Sequence, residues 1–155
     1  MKIAVLTNDL LISQKSFYMV KELEKCLKNT EDCPCIFYLN MSATVVDIPF
    51  AIMNIHNITH FNGVCLATDL ESAEVLRKSN NKMDKFFYVW DLEWLRNTIP
   101  FEKGVEILRD PSLKIIARSE SHKKVIENYC NREVEGIVHN FNLEQIKEVC
   151  SGRLV

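Results

Sequence analysis

The sequence predicts an α/β domain built on one doubly wound, mostly parallel sheet flanked by helices. Three observations predict it. Short apolar runs, such as IAVL near the start, FFYV at 86–89 and the strand at 113–117, read as strands buried on both faces, as in parallel sheets. These runs alternate with stretches whose apolar residues fall at helical spacing, the order that builds a parallel sheet with right-handed crossovers. No linker, repeat or low-complexity tract divides the 155 residues, so a single domain spanning 1–155 with its own core is expected. Together these observations describe a Rossmann-like arrangement.

Residues 2–6 form the first strand, ended by Thr7-Asn8-Asp9. Ser13 caps a helix running to about Thr30, with Phe17, Val20, Leu23 and Leu27 at helical spacing between Lys and Glu residues. Residues 35–39 are the second strand, entered through Pro34, a residue suited to a strand start. From 41 to 62 the pattern is irregular: Val45-Val46, Pro49 and the run 50–55 predict an irregular segment and then a strand or short helix. His56 and His60 stand four apart, but the glutamate of a zinc-protease helix and a third ligand are both missing, so structural histidines are expected.

Residues 63–67 (GVCLA) are a buried strand, and Thr68-Asp-Leu-Glu71 has capping-box spacing, with Thr68 and Asp69 as caps of a helix to about Ser79. Asn80-Asn81-Lys82 is a polar turn before the central strand at 86–89. After Trp94 the chain meets Pro100, and a helix over about 101–109 closes at Asp110-Pro111. Residues 113–117 are a further strand, and Arg118-Ser119-Glu120-Ser121-His122 opens an amphipathic helix with Val125, Ile126 and Tyr129 inward. A last strand at 134–138 precedes a helix through Val149, with capping-box spacing at Asn142 and Gln145.

A hydrophobic content of 47% with 26% charged residues suits a folded, soluble chain, and no apolar run is long enough for a membrane span, so no membrane partner is expected. The first apolar run breaks at Thr7-Asn8-Asp9 without a small-residue cleavage site. It reads as a strand and not a secretory signal, which predicts a cytoplasmic protein. The six cysteines are then expected as reduced thiols. Cys33-Pro-Cys35 lacks the two-residue spacer of a redox or zinc motif, and no metal is expected. Sequons at Asn40 and Asn57 carry no consequence without secretion.

A formal charge of −2 argues against a large basic face for nucleic acid, while leaving a local contact open. There are four glycines, and none follows the first strand. A Gly-rich dinucleotide turn and a Walker loop are therefore both absent, which disfavours an ordinary NAD or ATP enzyme. A response-regulator reading lacks its late lysine.

In a parallel sheet the carboxyl ends of the strands face one edge, the place where open α/β sheets bind ligands. The sequence brings Asn8, Asp9, Thr68, Asp69, Asp91, Ser119, Glu120, His139 and Asn140 to that edge. Asp91 stands just past the central strand in KFFYVWDLEWLR. Two roles are open to it. It caps the short helix that 91–94 turns into, or, walled by Trp90 and Trp94 and partly desolvated with a raised pKa, it acts as general base on an acceptor hydroxyl. The structural alternative makes the other edge residues caps and loop polars, and both tryptophans core. The cluster Arg118, His122, Lys123, Lys124 reads as a solvated helix face or as a contact to phosphate.

Three stretches, MKIAVLTND, KFFYVWDLEWLR and LKIIARSESHKKVIENYCNREVEGIVHNFNLEQI, resemble the N-terminal, acceptor-side domain of GT-B glycosyltransferases, and within that family the DNA β-glucosyltransferases of bacteriophages. The resemblance covers nearly the whole chain except 40–62. It implies a phage-encoded glycosyltransferase working in the host cytoplasm on modified DNA bases, with Asp91 as the catalytic base. Asn8, Asp9, Trp90, Trp94, Ser119 and His122 would then surround the acceptor. One departure is that the family's threonine before the aspartate is Trp90 here.

In that family the donor, a nucleotide sugar of the UDP-glucose type, is held mainly by a second domain, which is expected to begin about where Val155 falls. This chain carries no Gly-rich turn and no dense Arg/Lys cluster for a diphosphate. The resemblance therefore implies no cofactor bound by this chain alone, and a donor half supplied by a separate subunit or by a second copy in a homodimer. The alternative class is a non-catalytic Rossmann-like interaction or regulatory domain.

Overall fold

The computed structural model describes residues 1–27, 34–41, 47–79, 82–96 and 100–153. Seven strands, β1 (Ile3–Thr7), β2 (Cys35–Tyr38), β3 (Ala51–Asn54), β4 (Val64–Ala67), β5 (Asp84–Val89), β6 (Lys114–Ala117) and β7 (Gly136–Ile137), form one sheet in the order β3-β2-β1-β4-β5-β6-β7. Every pairing is parallel. Five helices connect or follow the strands: α1 (Gln14–Cys26), α2 (Leu70–Lys78), α3 (Phe101–Arg109), α4 (Glu120–Cys130) and α5 (Leu143–Cys150). None of the described helices is long and apolar enough to cross a membrane.

The apolar strands decide the layering. All five residues of β1 are buried, as are Phe86 to Val89 of β5, so both faces of the sheet must be covered. On one face Met19, Val20 and Leu23 of α1 pack with Leu143, Ile146 and Val149 of α5. On the other lie Leu70, Ala73 and Leu76 of α2, Val105, Ile107 and Leu108 of α3, and Ile126 and Cys130 of α4. The chain leaves β1 for β2 on one side and returns to β4 on the other, so α1 and α2 lie on opposite faces. That reversal opens a crevice above the carboxyl ends of β1 and β4.

The sequence places most of these elements within a residue or two, and the differences have local causes. The helix expected from Ser13 to about Thr30 has its cap as foreseen, with Ser13 Oγ accepting the Ser16 N–H at 3.1 Å, but α1 ends at Cys26. Its buried stripe is Met19, Val20, Leu23 and Cys26, while Phe17 and Leu27 are exposed. The irregular stretch holds the edge strand β3 and a 3₁₀ segment, Ile55–His60, on which His56 and His60 are exposed.

The start of α2 is capped by Asp69 and Ser72 rather than by Thr68 and Glu71. Thr68 turns its hydroxyl to the Leu6 carbonyl at 3.0 Å and so stitches β4 to β1. Tyr129, expected inward, is 54% exposed and meets Phe101 edge-on. The last strand shrinks to Gly136–Ile137. Asn142 caps α5, but Gln145 turns its side chain to the His139 N–H instead of closing the box. Expectations for Thr30, Cys33, Val45-Val46, Asn80-Asn81 and Val155 lie outside the described residues. Of the described cysteines, Cys65, Cys130 and Cys150 are free thiols.

Candidate functional site

The carboxyl edge divides into two parts. Above β1 and β4, the loop after β1 and the start of α2 are joined by one carboxylate. Asp69 Oδ2 accepts the Asn8 N–H at 2.8 Å and the Lys15 ammonium at 2.9 Å, and Oδ1 accepts the Ser72 N–H at 2.9 Å. The Thr7 hydroxyl lies 3.2 Å from Asp69 Oδ2 and receives a second bond from Lys15 at 3.1 Å. Burial alone would raise the pKa of Asp69, but Lys15 and the Asn8 and Ser72 N–H groups outweigh it and hold the pKa below the usual carboxylate value. Asn8 is pinned from the other side, its Oδ1 accepting from Asn40 at 2.7 Å, and Asp9 Oδ1 accepts the Leu11 N–H at 3.1 Å.

Above β5 and β6 the arrangement is looser. Asp91 caps no helix: the 3₁₀ turn Glu93–Leu95 starts at Leu92 without a side-chain cap. Its Oδ1 accepts the adjacent Leu92 N–H at 3.1 Å, and its Oδ2 pairs with Arg96 at 2.8 Å, with the Asp91 side chain 35% exposed. The desolvated carboxylate of this turn is instead Glu93. It accepts the Leu70 N–H at 3.1 Å, and burial lifts its pKa to about 7; that N–H and Lys15 pull downward, while Asp69 and Asp91 add to the rise.

The two tryptophans that were expected to wall Asp91 have different fates. Trp94 is 1% exposed in the core with Leu70 and Val105, pressed against Gly104, and its indole N–H has no partner among the described residues. It supports the turn from beneath and does not face the edge. Trp90 lies on the opposite face of the sheet, under the Arg118 guanidinium at 4.0 Å and beside Tyr18 at 6.1 Å.

Ser119 caps α4 by accepting the His122 N–H at 3.2 Å and lies 2.9 Å from the Ser121 hydroxyl. His122 Nδ1 is shielded and without a partner among the described residues. His139 and Asn140 are exposed, Asn140 and Phe141 at φ 48° and 60°. Phe141 is held in that left-handed conformation by burial and by its N–H to the Tyr88 hydroxyl at 3.4 Å, which itself donates to the Val138 carbonyl at 2.7 Å.

Sequence reasoning reached Asn8, Asp9, Asp69, Asp91 and Ser119 but missed Lys15, Glu93 and Arg96 as members of the edge. Lys15 carried a signal. A cation in the first turn of a helix that has no acid there opposes the helix dipole, so it needs a carboxylate from elsewhere. Glu93 carried none, because its burial depends on α2 packing over it.

A hollow of about 280 Å³ opens beside the edge, lined by Leu39, Asn40, Leu70, Glu71, Lys103 and Ile107 among others. It is at the small end for a ligand-sized cleft. Among the described residues no group of three or more His, Cys, Asp and Glu side chains is placed to hold a metal ion.

Fold and edge together define the class: a Rossmann-like α/β protein with a polar crevice at the carboxyl ends of a parallel sheet. Comparison of the chain with protein-family models, with curated proteins and with solved structures found no match.

Proposed function

We propose that the chain is the acceptor-side half of a nucleotide-sugar-dependent glycosyltransferase of the GT-B type, with Asp91 as the base that takes the proton of an acceptor hydroxyl. The observation that carries this reading is the setting of Asp91. Its carboxylate stands beyond the end of the central strand, caps no helix, is oriented by Arg96 and remains about one-third exposed. A general base must be both held and reachable, and this carboxylate is both.

Asn8, Asp9, Ser119 and His122 supply polar groups around the acceptor, taken to be a hydroxyl-bearing base of phage DNA. The UDP-glucose-type donor is held by a separate donor-domain subunit or a second copy, because no glycine follows β1 to admit a diphosphate. The test is sugar transfer from UDP-glucose to hydroxymethylated DNA by the chain in complex with its donor-domain protein. Asp91→Asn is expected to lower the rate by about 10²–10⁴-fold, the usual worth of a general base, with the fold intact by circular dichroism. Undiminished transfer by the variant removes the base assignment. Failure of both complex and dimer to bind any nucleotide sugar removes the reading.

One observation favours the second class, a non-catalytic interaction or regulatory domain. The switch-point crevice, where such sheets hold a ligand's charged group, is filled from within by Lys15 on Asp69 and Thr7. On this reading no nucleotide sugar shifts the melting midpoint of the chain, with or without DNA, and a shift with any one of them ends it.

A further inference from the structure

Most arginines of the fold meet a carboxylate or a backbone carbonyl. Arg77 is matched by Glu74, Glu106 and Asp110, and Arg96 by Asp91. Arg109 and Arg132 donate to backbone carbonyls at the ends of α4 and α3, Arg132 also to the Leu113 carbonyl. Arg118, the first residue past β6, differs. Its guanidinium is stacked at 4.0 Å from the Trp90 ring centre, and one N–H reaches Gln14 Oε1 at 3.3 Å. Among the described residues it meets no carboxylate. A guanidinium carries five N–H donors; with one given to Gln14, the other four have no described acceptor on a half-buried group.

The stacking has a geometric consequence. An indole 4.0 Å beneath the guanidinium carbon restrains the side chain from below, while Gln14 takes only one of its N–H groups. The side chain is thus oriented before any ligand arrives, so little freedom is lost on binding. A planar, pre-oriented fork of donors matches the paired oxygens of a carboxylate or phosphate ester. The positive end of α4 begins at the next residue, and the acid in that first turn, Glu120, is exposed and forms no ion pair with Arg118.

We propose that Arg118 is an anion-binding residue of the carboxyl edge, seating a carboxylate or phosphate-ester group of a ligand in the plane of a guanidinium that Trp90 holds in place. The proposal is independent of sugar transfer, because it concerns binding by this chain alone. If Arg118 merely covers the apolar face of Trp90, anions have no specific effect on it.

The experiment follows the Nε–H signal of Arg118 in ¹⁵N-labelled chain, assigned from its loss in Arg118→Gln, during titration with inorganic phosphate, with acetate and with chloride at matched ionic strength. A saturable shift with phosphate or acetate and none with chloride is expected, and the anion that saturates tells a phosphate ester from a carboxylate. Thermal stabilisation by that anion should weaken at least tenfold in midpoint concentration in Arg118→Gln. If that variant does not fold, Arg118→Lys keeps the charge without the planar fork and should bind several-fold more weakly. Linear shifts equal to those with chloride, or unchanged affinity in the variant that folds, overturn the proposal.

Discussion

The β1–β4 and β5–β6 parts of the carboxyl edge contain similar residue types and use them differently. Above β1 and β4, Asp69 is buried and joins the loop after β1, the first turn of α1 and the start of α2 in one network. Above β5 and β6, Asp91 is partly exposed, Glu93 is half-buried with its pKa raised by desolvation, and Arg118 keeps most of its donors unclaimed. The first part is organised to hold the fold together. The second leaves Asp91 reachable beside Arg96 and most donors of Arg118 unclaimed.

The largest effect that would sharpen this contrast is expected at Asp69. Asp69→Ala removes the cap of α2 and leaves the half-buried Lys15 without its counter-charge, so a loss of about 3 kcal/mol is expected in urea unfolding. A loss near that of a surface pair would erase the distinction between the two parts. The pH dependence has a definite sign: because the folded pKa of Asp69 is lowered, its contribution is present above the ordinary carboxylate pKa and lost as pH falls through the lowered value.

Glu93 should behave in the opposite sense. Its folded pKa of about 7 lies above the ordinary 4.5, so the native state holds the proton more tightly and stability falls as pH rises from about 4.5 to about 7. Glu93→Gln keeps an acceptor for the Leu70 N–H without the charge. It should flatten that slope and stabilise the chain by about 1–3 kcal/mol at pH 8, with little change at pH 4. A slope unchanged in the variant would place the titrating group elsewhere. The smallest effect belongs to Asp91, whose Asp91→Asn variant should lose less than about 1 kcal/mol, as expected for a partly exposed ion pair. A loss as large as that of Asp69→Ala would make Asp91 structural after all.

The fold was legible because its signals are local. The residues 101–109 were read as a helix from Pro100 and Asp110-Pro111, and α3 occupies Phe101–Arg109. The caps Ser13, Ser119 and Asn142 are where short polar side chains precede apolar periodicity. At the start of α2 Asp69 is the cap, one of the two expected, while Thr68 is claimed by the neighbouring strand and the box closes on Ser72 instead of Glu71. Tyr129 was read inward, and Phe17 was grouped with the apolar positions of α1, from spacing alone, but which stripe is buried depends on how a helix is rotated against its sheet. The edge residues were legible as a set, since a parallel sheet brings every strand's carboxyl end to one side.

By itself the sequence determined the order and type of the elements and the polar character of the carboxyl edge, because strand burial, helix periodicity and capping are written within a few residues of each other. Only the tertiary structure decided which groups at that edge are locked in a network and which keep unclaimed donors or exposure. Lys15 meets Asp69 across 54 residues and Arg118 meets Gln14 across 104; Trp94 goes into the core while Trp90 lies beneath Arg118, and Glu93 rather than Asp91 is desolvated. The physical reason is that burial and charge pairing belong to the meeting of elements, and no residue carries in its own neighbourhood a record of what will be packed against it.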